Sequence, residues 1–262
     1  MKSKRAQFIF GVVALIVAGL CLPREAQAAI VDLTTAASSG FINGAFFKWT
    51  DFNQNATGSG VVQPFVRIQH DPTEQGYNTS GRPLTLWPDV HTDATFTHSL
   101  LLSSVPIVTI GGIDYREFLL DIGEPGGSAT FLSLDQLQIF LNPTGSINGN
   151  LASFGVPPIY NLDTASVDNY IKLRASLNAG NGKGDMFAYI PNSIFSAASS
   201  SDFVYLYSQF GTNFSSNGSF EEWSICPQPG GCLAPPIPEP SSLTLLGVGL
   251  LGLLKRNLKR RR

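Results

Sequence analysis

Apolar and polar side chains alternate along the segment NYIKLRASLN, residues 169–178. Ile171, Leu173, Ala175 and Leu177 fall on one side of an extended chain, and the polar residues between them fall on the other. This period of two is typical of a strand with one buried face, whereas a helix repeats its apolar positions every three to four residues. The segment therefore predicts a half-buried β-strand.

A glycine-rich stretch follows this predicted strand. NAGNGKGD, residues 178–185, is rich in turn formers, and MFAYI, residues 186–190, resumes an extended apolar pattern. Two extended runs separated by turn formers are typical of an antiparallel hairpin. We therefore predict that these two runs pair with each other.

Short extended runs of this kind recur between turn-rich segments through most of the chain. NSIFSAASSSD, residues 192–202, is an exception and predicts a short helical turn. The pattern favours an all-β fold, with a single β-sandwich or jelly-roll-like domain over residues 29–225. The other predicted strands are AFFKWTDF, VVQPFVRI, HSLLLSS, VPIVTI, REFLLDI, ATFLSL, LQIFL, DFVYLYSQF and SFEEWSI.

Residues 1–28 have the features of a secretory signal peptide. Three basic residues lie within the first five positions, and an apolar run occupies residues 8–22. Ala26 and Ala28 then form an A-x-A site, which predicts cleavage before Ala29. We therefore expect a Sec-type export machinery and a signal peptidase as partners.

The charge of the predicted mature protein differs from that of the whole chain. Residues 29–240 contain 7 basic and 18 acidic residues, a net charge near −11. A surface this acidic repels polyanions, which argues against nucleic acid as a partner.

Two of the three cysteines follow the predicted signal peptide. Cys226 and Cys232 enclose the sequence PQPGG. In an oxidising compartment they are candidates for a local disulfide, and the alternative is a pair of free thiols. Because proline is frequent here, residues 226–237 are predicted to form an extended linker outside the sheets.

The sequence contains no familiar catalytic constellation, so no catalytic residue is predicted. His91 and His98 are seven residues apart, and an odd separation places them on opposite faces of a strand. Glu221 and Glu222 are neighbours, so on a strand they cannot flank one glycosidic bond. The histidines, including His70, are interpreted as surface or loop residues.

Calcium stays open as a cofactor, and no metal ligand set is predicted. The loop from Asp51 begins with alternating Asp and Asn residues, as a calcium loop does. Ala56 and Val62 then occupy the places of the turn glycine and the bidentate glutamate. Two other acidic turns are candidates: GKGD, residues 182–185, and LLDIGEP, residues 119–125.

The end of the chain combines an apolar run with a basic cluster. Residues 243–254 are apolar, and as a helix they would span about 18 Å against a hydrocarbon core of about 30 Å. This is short for a permanent transmembrane helix. The basic cluster is expected to stay on the cytoplasmic side and to act as a membrane stop. It consists of Lys255, Arg256, Lys259, Arg260, Arg261 and Arg262.

A charged tripeptide precedes the apolar run. Glu239 lies between Pro238 and Pro240, and a residue that precedes proline is driven toward extended conformations. The tripeptide is thus expected to be accessible at the membrane surface, where a membrane-embedded protease could reach it.

Together, residues 238–262 resemble the PEP-CTERM sorting signal of exported bacterial proteins. The resemblance implies processing by exosortase, an integral-membrane cysteine transpeptidase of Gram-negative bacteria that make exopolysaccharide. It implies a transient stay in the inner membrane, followed by delivery to the cell envelope, the outer surface or the medium. YREFLLDIGEP, LSLDQLQIF and GDMFAYIPNSIF are similar to the ectodomains of proteins with this signal. That ectodomain pattern carries no assigned activity.

Three functions are compatible with these features. The first is a non-enzymatic protein of the cell envelope or extracellular matrix, linked to exopolysaccharide or biofilm. The second is a lectin-like carbohydrate-binding module, with calcium or with Trp49, Trp87 and Trp223 as sugar-stacking platforms. The third is a carbohydrate-active enzyme with an unrecognised acid pair.

Overall fold

The computed structural model describes residues 27–52, 63–123, 131–164, 167–178 and 183–232. Within these residues the chain forms strands and short 3₁₀ turns but no α-helix. The strands are β1 (Ile30–Asp32), β2 (Ser39–Ile42), β3 (Ala45–Trp49), β4 (Gln63–Ile68), β5 (Glu74–Tyr77), β6 (Leu100–Leu101), β7 (Ile107–Ile110), β8 (Ile113–Ile122), β9 (Phe131–Asn142), β10 (Tyr160–Asn161), β11 (Tyr170–Arg174), β12 (Met186–Pro191), β13 (Phe203–Phe210) and β14 (Glu221–Ile225).

The strands form two sheets of seven strands each. The first sheet has the order β1-β11-β9-β13-β5, with β10 also paired to β9 and β6 to β13. Its longest contact is the antiparallel pair of β9 and β13, and β1 joins the edge in parallel with β11. The second sheet has the order β2-β3-β12-β8-β14-β4, with β7 also paired to β8.

The two sheets share one hydrophobic core. Phe118 and Leu120 of the second sheet belong to the same buried cluster as Leu134 and Ile139 of the first. Polar contacts also join the sheets, since the indole nitrogen of Trp223 donates to Ser208 Oγ at 3.1 Å. The prediction of an all-β domain is therefore confirmed.

Burial follows the residue pattern that each strand carries. Ile171 and Leu173 of β11 are buried, while Lys172 and Arg174 between them are half-buried, as the alternation predicts. Strand β12 is instead an almost continuous apolar run, MFAYIP, and its first five residues are buried. A strand buried on both faces has this composition.

The predicted hairpin between residues 169–178 and 186–190 is wrong. Strand β11 lies in the first sheet and pairs with β1 and β9. Strand β12 lies in the second sheet and pairs with β3 and β8. The intervening glycine-rich segment therefore crosses between sheets, and β11 ends at Arg174 because a 3₁₀ turn begins at Ala175.

Two other local predictions can be compared with the structure. The expected helical turn is present as a 3₁₀ turn at Asn192–Phe195, which confirms that prediction. Among the described residues, no helix is long and apolar enough to cross a membrane. The predicted signal segment up to Ala26 and the apolar run at residues 243–254 lie outside the described residues.

The shared core predicts a large difference between two phenylalanine substitutions. Phe118 is fully buried, whereas Phe41 is 62% exposed on the edge strand β2. Replacing Phe118 with Ala should lower the free energy of unfolding by about 3–5 kcal/mol, because it removes buried contacts and leaves a cavity. Replacing Phe41 with Ala should change it by less than about 0.5 kcal/mol. Urea unfolding measures both, and equal losses would contradict the assignment of the core.

Candidate functional site

The segment Cys226–Cys232, called here the disulfide loop, folds back onto the second sheet. The two cysteines are joined by a disulfide and are both buried. They pack with Leu119 of β8 and with Phe187 and Tyr189 of β12 in a second apolar cluster on the outer face of this sheet. The folded region thus extends to residue 232, seven residues into the linker predicted at 226–237. The prolines of this loop do not extend it away from the domain, because the disulfide closes it.

Glu117 lies beneath the disulfide loop and is almost fully buried. Its Oε1 accepts a hydrogen bond of 2.6 Å from the backbone N–H of Cys232, and the Tyr189 hydroxyl also donates to it. Burial raises the pKa of Glu117 to about 7, although the hydrogen bonds from Cys232 and Tyr189 lower it. The carboxyl group therefore fixes the end of the loop to the sheet.

Gly231 allows the disulfide loop to approach Glu117 closely. Its φ is +75°, a conformation that favours glycine. A Cβ at this position would collide with Glu117 Oε1 and with the side chain of Val108. The backbone here has no space for a larger residue.

A groove of about 370 Å³ runs between the disulfide loop and the segment that leads into β7. Val105, Pro106 and Ile107 contribute one wall, and Pro227 and Pro229 contribute the other. We call it the linker groove, because the chain continues into residues 233–240 just beyond the loop.

Arg116 also lines the linker groove. Its Nε donates to Asn192 Oδ1 at 2.9 Å, and its Nη1 donates to the backbone carbonyls of Leu102 and Val105 at 3.0 and 2.7 Å. Burial lowers the pKa of the Arg116 guanidinium. In the described part of the chain, no carboxylate lies within ion-pair distance of it.

A second cavity, of about 470 Å³, lies on the first sheet. Its lining is polar and includes Asp135, Asp163 and Asp168 together with Gln136 and Gln209. We call it the acidic cavity. Its side chains include both hydrogen-bond donors and acceptors.

Two of these acids also hold backbone in place. Asp135 Oδ2 accepts hydrogen bonds from the Thr212 backbone N–H at 2.7 Å and from the Ser133 hydroxyl at 2.8 Å. Asp163 Oδ1 accepts from the Asn169 backbone N–H at 2.8 Å. Burial raises the pKa of Asp163, and the negative charges of Asp168 and Asp135 raise it further.

Glu221 and Glu222 are both buried on β14. Glu222 forms an ion pair of 3.1 Å with Arg67, whose guanidinium carbon lies 3.4 Å from the ring centre of Phe96. Burial raises the pKa of Glu222, and Arg67 opposes this shift. This carboxylate is thus tied to a structural ion pair.

The candidate calcium loops meet at one end of the second sheet. Asp121 lies at the end of β8, and Asp185 precedes β12, where its Oδ2 accepts from the Ile122 backbone N–H at 2.9 Å. Burial raises the pKa of Asp185 well above its usual value, and Asp121 contributes to the shift. Among the described residues, no group of three or more His, Cys, Asp or Glu side chains could hold a metal ion. Asn53, Asn55 and the rest of the loop up to Val62 lie outside those residues.

Comparison with known proteins gives one finding, which concerns the end of the chain. A family model described as PEP-CTERM protein-sorting motif matches residues 236–262. The chain carries a PEP-CTERM sorting signal. No curated protein and no solved structure matches it.

The PEP-CTERM match has a direct consequence for cellular fate. It covers the Pro-Glu-Pro tripeptide, the apolar run and the basic cluster, and it confirms the resemblance. The chain is therefore an exported protein that is sorted to the envelope by exosortase processing. Pro238, Glu239 and Pro240 and the basic residues from Lys255 to Arg262 lie outside the described residues.

The predicted signal cleavage site lies at the beginning of the described chain. The backbone N–H of Ala29 donates to Asn169 Oδ1 at 2.7 Å, and its carbonyl accepts from the Tyr170 N–H. Ala28 precedes this anchored residue, and Ala26 lies outside the described residues. Cleavage before Ala29 stays a prediction.

The histidines and tryptophans do not form a shared site. His70 and His98 each place Nδ1 at 3.1 Å from a nearby backbone carbonyl, and His91 accepts from the Asp93 N–H. Trp223 and Trp87 are buried in the core, and Trp49 packs against it. Burial of Trp87 and Trp223 argues against their use as sugar-stacking platforms, whereas Trp49 is half-buried.

Sequence reasoning did not identify Glu117, Arg116 or the acidic cavity. A signal for Glu117 exists in YREFLLDI, where three charged residues, Arg116, Glu117 and Asp121, interrupt an otherwise apolar strand. No comparable signal exists for the cavity, because its walls come from distant parts of the chain.

The buried position of Glu117 predicts a pH-dependent stability. Between pH 4.5 and about 7 the folded protein retains a proton that the unfolded chain releases, so the free energy of unfolding falls as pH rises. Glu117→Gln has no carboxyl group to titrate, so it should lack this pH dependence. Across that pH range the free energy of unfolding of wild type should therefore fall by about 3 kcal/mol relative to that of the variant. Urea unfolding at several pH values measures the difference.

Tyr189→Phe tests the same prediction from the donor side. The Tyr189 hydroxyl stabilises the charged form of Glu117, so its removal should extend the decline to higher pH. Parallel pH profiles for wild type and Glu117→Gln would contradict the prediction.

Proposed function

We propose that the described domain is a non-enzymatic component of the cell envelope or extracellular matrix, associated with exopolysaccharide. The PEP-CTERM signal at residues 236–262 is the observation that carries this proposal, because it assigns the chain to exosortase-dependent sorting. In the proposed sequence of events, Sec-type export is followed by signal cleavage before Ala29. The apolar run then holds the chain in the inner membrane of a Gram-negative cell until exosortase cuts near Pro238–Pro240.

The roles of the buried acids support a structural function. Glu117 holds the disulfide loop, Glu222 pairs with Arg67, and Asp135 holds the backbone at Thr212. Glu221 and Glu222, as neighbours on one strand, point to opposite faces of the second sheet. These carboxylates stabilise loops and strand ends, which fits a domain that acts as a scaffold.

The proposed architecture is a β-sandwich with jelly-roll-like features. The common core and the hydrogen bond from Trp223 to Ser208 support face-to-face packing of the two sheets. Sandwiches of this kind leave the outer faces and the end loops for binding.

Removal of residues 238–262 tests the sorting part of the proposal. The truncated chain should escape exosortase processing and should appear in the exported soluble fraction rather than in the envelope. Intact mass, terminal sequencing and cell fractionation measure the change. A variant with Ser241→Ala and Ser242→Ala keeps the tripeptide and the apolar run, and it should be processed like wild type. A mature wild-type chain that still contains residues 238–262, or a truncated chain that fractionates like wild type, would exclude the sorting role.

Carbohydrate binding is a second candidate function, favoured by the acidic cavity. Gln136 and Gln209 offer amide donors, while Asp163 and Asp168 offer carboxylate acceptors. Sugar hydroxyls need both kinds of partner, and few but well-placed polar groups give such pockets their specificity. Calcium is proposed as a cofactor here only where the sugar itself supplies oxygen ligands, because the described residues contain no group of three or more His, Cys, Asp or Glu side chains that could hold the ion.

A glycan array with and without EDTA tests this second function. Binding should weaken in Asp168→Asn, because Asp168 is an exposed acid on the cavity wall, and should persist in Asp71→Asn, an exposed acid elsewhere. Loss of binding in EDTA would identify calcium as part of the site. An array without any bound glycan, in either condition, would reject carbohydrate binding.

A further inference from the structure

Arg116, which lines the linker groove, can still donate hydrogen bonds. Nε and Nη1 of Arg116 bind Asn192, Leu102 and Val105, whereas Nη2 has no hydrogen bond within the described part of the chain. Arginine keeps its charge in proteins, and a partly desolvated guanidinium is stabilised by a carboxylate in a two-pronged or single contact. The groove therefore fits a segment that is extended, largely apolar and singly negative.

The chain itself supplies such a segment next to the groove. Residues 233–240 read LAPPIPEP, with four prolines, three aliphatic residues and one acid. Glu239 is the one acidic residue in the whole of residues 233–262. Proline-rich segments lose little conformational entropy when they bind in an extended form, and they suit shallow apolar grooves.

The geometry of the disulfide loop brings this segment within reach. Cys232 is fixed by its disulfide and by the hydrogen bond from its N–H to Glu117, the neighbour of Arg116 on β8. Glu239 lies seven residues after Cys232, and seven extended residues span at most about 25 Å. The chain is thus long enough for Glu239 to reach the groove.

We infer that the linker groove binds residues 234–240 of the same chain, with the Glu239 carboxylate on Nη2 of Arg116. Pro227, Pro229 and Ile107 contact the prolines of the segment. The inference rests on the PEP-CTERM signal for its biological meaning, but the contact itself requires no exosortase.

Docking of the tripeptide would orient the domain before processing. The apolar run begins at Leu243, four residues after Glu239. The face that carries the disulfide loop would therefore lie against the membrane.

Pulsed electron paramagnetic resonance on the full chain tests this contact. Spin labels at Ile113→Cys, an exposed position on β8, and at Ser241→Cys report the distance between the domain and the segment. The protein is prepared with Cys21→Ser, without exosortase, in lipid nanodiscs and with the native disulfide intact. The labelled protein with an unchanged groove and Glu239 should give one narrow peak in the distance distribution.

Substitutions in the segment and the groove complete the test. Glu239→Gln should abolish the narrow peak, and Glu239→Asp should retain it, because the charge is kept. Ile107→Asp should also abolish the peak by placing a like charge beside Glu239, whereas Val156→Asp, at an exposed apolar residue outside the groove, should not.

Two results would overturn the inference. One is a wild-type distribution as broad as that of Glu239→Gln, which would leave the groove to an external partner such as the processing enzyme. The other is a narrow peak that persists in Glu239→Gln. Because the measurement uses no exosortase, neither result depends on whether the sorting signal is processed.

Discussion

Strand β8 is buried on both faces, and this requires a cover on the outer side of the second sheet. Phe118 and Leu120 contact the core between the sheets, while Leu119 points outward. Without a cover, the outward apolar side chains would be exposed to water, which costs about 25 cal/mol for each Å² of apolar surface. The disulfide loop provides the cover, and its disulfide, Gly231 and the bond to Glu117 all hold it flat on the sheet.

The sequence predicts which face of a strand is buried better than it predicts which strands pair with each other. Alternation in NYIKLRASLN correctly places Ile171 and Leu173 in the core, because a period of two determines which side chains share a face. It contains no information on which strand lies alongside. The hairpin with residues 186–190 was therefore predicted from proximity in the sequence, although β11 and β12 belong to different sheets.

Candidate-site residues were predictable only where the signal is local. The PEP-CTERM signal is a continuous segment and was identified from its residues. YREFLLDI marks Glu117 only as a charge within an apolar strand, and its hydrogen-bond donor lies 115 residues later in the chain, so the local pattern does not reveal what the carboxyl group binds. The acidic cavity was not predicted for the same reason, since Asp135 and Asp163 come from separate segments that the fold brings together.

The position of β14 within the second sheet makes completion of the domain depend on its last strand. This strand lies between β8 and β4, and its Glu222 contacts Arg67 across 155 residues of chain. Strand β4 therefore gains a ladder partner among the described strands only when β14 is in place. Pairing between segments this far apart in the chain is slow, because the intervening chain must be ordered before the contact forms. The second sheet is thus completed late, and a chain that ends before Glu221 would leave β4 as an unpaired edge.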